Sequence, residues 1–262
     1  MGIYVVTGGT KGIGGEAVRL LKQAGHTVFN IDRDRGDCCA DLGTPEGRRE
    51  AVEAVRRLFP DGIDGLASNA GVASTEPLSD TVRINYFGSV AVMEGLFGLL
   101  RLRRGRCAVT VSGSLAYSER NRFYVDRLLT DCGDEERIAR LVDSFDPVEV
   151  DNAIYGSTKF ALARWMRRSA AHWARAGVNL NAVAPGAVAT TIMQGVRNMG
   201  ASPDVWRSLI APVTDAERRL MRPEEVAPVL VSLLMPGACG CSGQIFYCDA
   251  GTEAALRTEK IY

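Results

Sequence analysis

The sequence predicts an α/β protein built on a doubly wound parallel sheet, and three observations carry that expectation. The chain opens as a short β-branched run, a glycine-rich turn and an amphipathic stretch. Short apolar runs then alternate with segments of helical spacing to the end, the pattern that lays parallel strands side by side with helices crossing between them. Most of those runs stop at Gly, Asn, Ser or Pro, as strands do where they give way to turns. A chain of 262 residues is long enough for one large core, and a single domain over residues 1–262 is the simplest arrangement.

Ile3–Val6 is the first strand. Thr7-Gly8-Gly9-Thr10-Lys11-Gly12-Ile13-Gly14 follows it, and Ala17, Val18, Leu20 and Leu21 give the next stretch a helical period. Three residues separate Gly8 from Gly12, so the spacing is not G-x-G-x-x-G. The physics is shared: glycine lets the backbone turn tightly and approach a pyrophosphate, and a helix N-terminus offers free N–H groups and a positive dipole end. The same residues also suit a plain strand-to-helix connection.

His26–Ile31 reads as a second strand, ending on Asp32. A carboxylate there accepts hydrogen bonds from the adenosine ribose and repels a 2′-phosphate. Lys11, Arg33 and Arg35 pull the other way, since each has the charge to meet a phosphate. Exposed basic residues contribute little singly, so Asp32 decides, and NAD is expected rather than NADP. Asp41-Leu42 then stands either at an adenine edge or in the turn that precedes Thr44-Pro45-Glu46.

Glu46–Phe59 has a helical stripe of Ala51, Val52, Val55 and Leu58, and the strand after it closes on Asn69-Ala70-Gly71. Those small residues suit close approach of the chain to a cofactor, or an ordinary turn. Thr81–Leu102 reads as one long helix with Asn85 set among apolar neighbours, where a buried amide needs partners. Cys107–Val111 is a strand ended by Ser112-Gly113-Ser114.

Residues of roughly 118–150 read as an insertion of two short amphipathic helices, with Asp146-Pro147 as its exit. A helix from about Ala153 to Ala176 then carries Tyr155 and Lys159, four positions apart and therefore on one face. A cation beside a phenol favours the phenolate and lowers its pKa from the usual value of about 10. By itself the pair also fits a solvated helix face. Val178–Ala184 is a sixth strand, ended by Pro185-Gly186. Residues of about 187–222 contain Val188, Thr190, Met193, Met199 and Trp206 with little regular period. Such a stretch over the mouth of an α/β sheet reads as a substrate lid, or as two surface helices packed on the core. A helix from Pro223 and a last strand and turn over Gly243–Gly251 complete the chain.

Composition narrows the partners. Lys plus Arg equals Asp plus Glu at 31 each, so no strong field favours nucleic acid or an anionic membrane. The start has neither a charged leader region nor a signal-length apolar run, and no stretch approaches the ~18 apolar residues of a membrane span; a cytoplasmic protein is expected. The seven cysteines lack C-x-x-C spacing and nearby histidines, so no metal site is expected and reduced thiols are.

In order, Thr7-Gly8-x-x-x-Gly12-Ile13-Gly14, Asn69-Ala70-Gly71, Asn85, Ser114, Tyr155-x-x-x-Lys159 and Pro185-Gly186 with Thr190 resemble the compact short-chain dehydrogenase/reductase family over essentially the whole chain. The resemblance implies a Rossmann-like NAD(P)-binding domain. It implies Tyr155 as general acid/base, Lys159 as the residue that lowers its pKa and binds the nicotinamide ribose, Ser114 as the residue that orients the substrate oxygen, and Asn85 in a proton relay through water. Gly8, Thr10, Lys11, Gly12, Ile13, Gly14, Asp32, Asp41, Leu42, Asn69, Ala70, Gly71, Pro185, Gly186, Val188 and Thr190 are then the cofactor contacts beside Tyr155 and Lys159, and Met193, Met199 and Trp206 line an apolar substrate site with Ser114 and Tyr155. Ser112 rivals Ser114; the family places its serine second in such a pair.

The serine and tyrosine stand at 114 and 155, where most compact members separate them by a little over a dozen residues. With Asp41-Leu42, Thr44-Pro45-Glu46-Gly47-Arg48 and Asn85-Tyr86-Phe87-Gly88, that insertion resembles the branch containing bacterial 3α-hydroxysteroid dehydrogenase/carbonyl reductase and coniferyl-alcohol dehydrogenase. The implied reaction is hydride transfer between NAD(H) and a hydrophobic secondary alcohol or ketone. Enoyl reduction fits less well, since enoyl reductases of the family typically place the lysine further from the tyrosine. A non-catalytic NAD-binding regulator and an NADPH-linked biosynthetic ketoreductase are the alternatives. The insertion is expected to block the usual tetramer face and leave a homodimer.

Overall fold

The computed structural model describes residues 1–73, 77–113, 125–131, 133–191, 193 and 219–259. Seven parallel strands form one sheet in the order β3-β2-β1-β4-β5-β6-β7. They are β1 (Ile3–Thr7), β2 (Thr27–Asp32), β3 (Cys38–Cys39), β4 (Gly65–Ser68), β5 (Arg106–Thr110), β6 (Asn179–Pro185) and β7 (Ile245–Cys248). The doubly wound sheet is the one the sequence predicts. Its direction of growth reverses between β1 and β4, which pair with Val5 opposite Leu66 and Thr7 opposite Ser68. That reversal opens a crevice at the carboxyl ends of the two strands, where ligands of such sheets bind.

Alternation along the buried strands sends side chains to opposite faces. Val5, Phe29, Ile31 and Leu66 pack with α2 (Pro45–Leu58), α4 (Ser89–Arg103) and α7 (Pro147–Arg175) in one core. Tyr4, Val6, Val28 and Ala67 pack with α1 (Gly12–Gln23) and α8 (Pro223–Ser232) in the other. The start of α2 follows its cap: Thr44 Oγ1 accepts the Gly47 amide at 3.0 Å, with Pro45 at the first position of the helix.

Two elements differ from the sequence reading. The long helix expected over Thr81–Leu102 is α3 (Leu78–Val82), a π-helical turn over Arg83–Gly88, and α4. Such wide turns are frequent at functional positions, and this one carries Asn85. The second difference is α7, which begins at Pro147 rather than near Ala153. Pro147 serves as the start of that helix because proline suits an opening turn.

The insertion contributes α5 (Val125–Asp131) and α6 (Glu135–Asp143). Val125 and Leu129 of α5 are buried, and two ion pairs tie this helix to α7: Arg164 to Asp126 and Arg168 to Asp131, each at 2.8 Å. On the other side, Asp143 of α6 accepts the Ser79 amide of α3 at 2.8 Å. A short helix, α9 (Thr252–Leu256), follows β7.

Candidate active site

The crevice is built first from backbone. Gly8 and Gly12 have φ of +68° and +61°, conformations glycine adopts without strain. A side chain at Gly8 would lie 2.8 Å from Ala70 Cα, and one at Gly14 would lie 2.2 Å from the Gly8 carbonyl oxygen. The β1 turn, the start of α1 and the Asn69-Ala70-Gly71 turn therefore touch through bare backbone. The first turn of α1 has neither a side-chain cap nor an acidic residue, so no side chain of that turn competes with an anion for its N–H groups and positive dipole end.

Side chains that the sequence reading passed over hold these turns. Thr7 Oγ1 accepts both the Asn69 and Ala70 amides at 3.0 Å. Asn30 Oδ1, buried inside β2, accepts the Gly9 amide at 2.9 Å. Thr110 at the end of β5 donates to Asn69 Oδ1 at 3.0 Å, while Asn69 Nδ2 donates to the Gly8 carbonyl at 3.3 Å. An amide in an apolar strand was the available signal at Asn30, of the same kind that marked Asn85.

Asp32 closes β2 beside this turn: its carboxylate accepts the Thr10 amide at 3.0 Å and the Arg33 amide at 2.8 Å. Thr10 and Lys11 are exposed at the lip, and Ile13 is half-buried behind them. Asp41 Oδ1 accepts the Gly43 amide at 2.8 Å, so it serves as a turn residue with its side chain at the protein surface, and Leu42 is buried behind it. A cavity of about 310 Å³ opens there between Arg33, Asp41, Gly43, Arg83, Ile84 and Glu136. Across the crevice, a side chain at Gly12 would meet the Thr190 methyl at 3.3 Å. Pro185-Gly186 leads into that segment, with the Gly186 amide donating to the Cys248 carbonyl at 3.0 Å. Val188 and Met221 form an isolated parallel bridge, through which the Ala189 amide reaches the Met221 carbonyl at 2.7 Å. The two ends of the expected lid are thus clipped together.

The chemical groups converge from α7, β5 and the π turn. Lys159 is 3% exposed, and its ammonium donates to the Thr110 carbonyl at 3.4 Å and lies 5.7 Å from the Tyr155 ring centre. Burial lowers its pKa from 10.5 to about 8. Burial pushes the Tyr155 phenol up instead, and a hydrogen bond with the Ser112 side chain opposes that rise. Desolvation outweighs the help that Lys159 is expected to give the phenolate.

Asn85 is fully buried, and both ends of its amide are committed: Oδ1 accepts the Val72 amide at 2.8 Å, and Nδ2 donates to the Val72 carbonyl at 2.9 Å and to Thr158 Oγ1 at 3.3 Å. A side chain at Gly71 would lie 3.1 Å from both Asn85 Oδ1 and Lys159 Nζ. One contiguous site therefore holds Gly71, Asn85, Ser112, Tyr155 and Lys159. Ser114, Met199 and Trp206 lie outside the described residues, and Met193 is half-buried on the segment after Thr190. Among the described residues no cluster of metal-ligating side chains occurs.

A family model described as short chain dehydrogenase matches residues 3–121, and one described as Enoyl-(Acyl carrier protein) reductase matches residues 141–253. Over 98% of its length the chain is 32% identical to the 3-alpha-hydroxysteroid dehydrogenase/carbonyl reductase of Comamonas testosteroni, covering 98% of that protein. The chain belongs to the short-chain dehydrogenase/reductase family. This short-chain dehydrogenase is also 34% identical to the coniferyl-alcohol dehydrogenase of a Pseudomonas species, over 72% of this chain and 74% of that one. Its fold matches the crystal structure of a 3-alpha-hydroxysteroid dehydrogenase from Pseudomonas sp. B-0831 complexed with NADH, with a TM-score of 0.87, 33% identity and coverage of 99% and 100% of the two chains. As a member of this family it is an oxidoreductase. No helix among the described residues is long and apolar enough to cross a membrane.

Proposed function

We propose that this short-chain dehydrogenase transfers hydride between NAD(H) and a hydrophobic secondary alcohol or ketone of steroid, terpenoid or aromatic type, with Tyr155 as the general acid/base. The observation that carries the reading is the convergence of Tyr155, Lys159 and a serine hydroxyl beside an uncapped helix N-terminus. The bare glycines support a dinucleotide: Gly8, Gly12 and Gly14 keep side chains out of the turn where a pyrophosphate would lie, the Asp32 carboxylate beside that turn would take an adenosine ribose, and Gly71 lies between Asn85 and Lys159. NAD supplies the hydride carrier.

Tyr155 holds the transferable proton at its phenol oxygen, within reach of the substrate oxygen. Ser112, bonded to that phenol, aligns it, and Ser114 lies two residues on. Lys159 keeps a buried positive charge on the ribose side, which favours the phenolate whenever the proton leaves. Asn85 holds the Gly71–Val72 backbone against Lys159 and closes the relay path. The steroid and coniferyl alcohols named for the two relatives, together with Met193, Met199 and Trp206 in the lid, support an apolar substrate. The four-residue interval from Tyr155 to Lys159 favours this reading over enoyl reduction.

The domain division supported is one nucleotide-binding domain over residues 1–262, an insertion over about 118–150 and a lid over about 187–222. The two ion pairs that lay α5 along α7 support a homodimer in which the usual four-subunit contact is covered; a tetramer mass in solution would contradict this. Six free thiols among the described residues suit the reducing cytoplasm. A panel of apolar secondary alcohols and ketones with NAD(H) and NADP(H), followed at the nicotinamide absorbance, tests the reaction. NAD-linked turnover is expected, and cofactor binding without any turnover would favour a regulator on the same scaffold.

A further inference from the structure

One guanidinium ties the insertion to the nucleotide end of the crevice. Arg48, on α2, is 7% exposed. Its Nε donates to the Leu42 carbonyl at 2.7 Å, and its Nη2 to the Gly43 and Arg83 carbonyls at 3.2 and 3.1 Å. Its outer edge makes a two-pronged pair with Glu135, the first residue of α6, at 2.6 and 2.7 Å. The rigid fork of N–H groups fixes all of these partners relative to one another.

The three carbonyls belong to the segments that frame the adenosine end. Leu42 and Gly43 follow Asp41, and Arg83 begins the π turn that carries Ile84 and Asn85. Asp41, Gly43, Arg83, Ile84 and Glu136 share the lining of the 310 Å³ cavity. Carbonyl dipoles alone leave a buried guanidinium under-compensated, so Arg48 depends on the Glu135 carboxylate to stay at this junction.

We propose that Glu135 is a positioning residue for the nucleotide: acting through Arg48, it fixes the loop after Asp41 against the π turn and so sets the wall that the adenine of a dinucleotide lies on. The insertion is then part of the cofactor site as well as a cover for α7. This rests on the NAD reading above. It assigns no contact between Glu135 and the nucleotide itself.

The test uses the full-length enzyme. Glu135→Gln is expected to raise KM for NADH about tenfold while kcat stays within about twofold, and to weaken AMP binding, read by calorimetry, by the same factor. Glu135→Asp, which keeps the charge and shortens its reach, gives an intermediate rise and carries the test if the Gln variant fails to fold. Asp131→Ala, which cuts the exposed pair with Arg168 on the same insertion, changes neither quantity. A lower melting temperature with unchanged KM and AMP affinity would overturn the inference, as would an equal rise for Asp131→Ala. Wild-type protein without NAD-linked turnover fails the functional reading instead, and the AMP titration then still decides whether Glu135 shapes an adenine site.

Discussion

The nucleotide end and the chemical end of the crevice are held by opposite means. At the glycine turn the site is made by leaving side chains out: Gly8 and Gly14 press bare backbone against Ala70, Asn69 and each other, and the bonds that join this turn to the Asn69-Ala70 turn are between neutral groups. At the catalytic helix it is made by burying a charge, with Lys159 3% exposed and its pKa brought down to about 8. Defects at the first end are therefore steric and act on binding. Defects at the second are electrostatic, act on turnover, and relieve a strain that folding otherwise carries.

The largest break comes from Gly14→Ala. Its methyl would sit 2.2 Å from the Gly8 carbonyl oxygen and 2.5 Å from Asn69 Nδ2, so α1 must move away from the turn. NADH binding, followed by fluorescence titration, is expected to weaken more than about 100-fold with a stability loss of about 1–3 kcal/mol. Retained affinity would mean that the turn is only a connection.

Lys159→Met sharpens the other side. Turnover should fall on the order of 10²–10⁴-fold, yet stability at pH 7 should rise by on the order of 2 kcal/mol. The sign follows from the shift: the folded-state pKa is depressed, to about 8 from 10.5, so the cost of the buried charge is fully present below about pH 8. Stability of the parent protein is expected to rise with pH between those values as that proton leaves. Urea unfolding at pH 7 and pH 10 checks it, and the variant should lose that slope. A smaller effect is expected at Asp32→Asn, which keeps an oxygen for the Thr10 amide and removes the repulsion of a 2′-phosphate. The ratio of kcat/KM for NADPH over NADH should rise about tenfold, on the order of one charge contact.

The same contrast explains what was legible in the sequence. The glycines, Asp32, Tyr155 and Lys159 each have an ordinary structural use when read singly, and it is their order along the chain that marks them together as a site. The parallel, doubly wound sheet follows from the alternation of elements; its strand order is given by the structure. The π turn does not follow in this way, because a helix that widens around Asn85 keeps the same residue types as one that does not. Thr7 and Thr110 have no assigned role in the sequence reading, since a lone hydroxyl at a strand end looks alike whether it braces a turn or faces solvent, and only the amide of Asn30 in an apolar strand offers a signal. Ser112 and Ser114 are alike by type, and the family resemblance alone prefers Ser114, which lies outside the described residues; Ser112 is bonded to the phenol. Arg48 enters the sequence reading only as the end of the Thr44-Pro45-Glu46-Gly47-Arg48 segment, without a role of its own, and its pairing with Glu135 spans a sequence distance that no local pattern reveals.

The central claim is that binding and chemistry are separable, with the Tyr155 hydroxyl needed for chemistry and little needed for cofactor affinity. Turnover and NADH affinity measured on one preparation of Tyr155→Phe test it most directly. Turnover is expected to vanish while NADH binds within about threefold of the parent affinity. Preserved turnover would remove Tyr155 from the reaction, and loss of both together would contradict the separation.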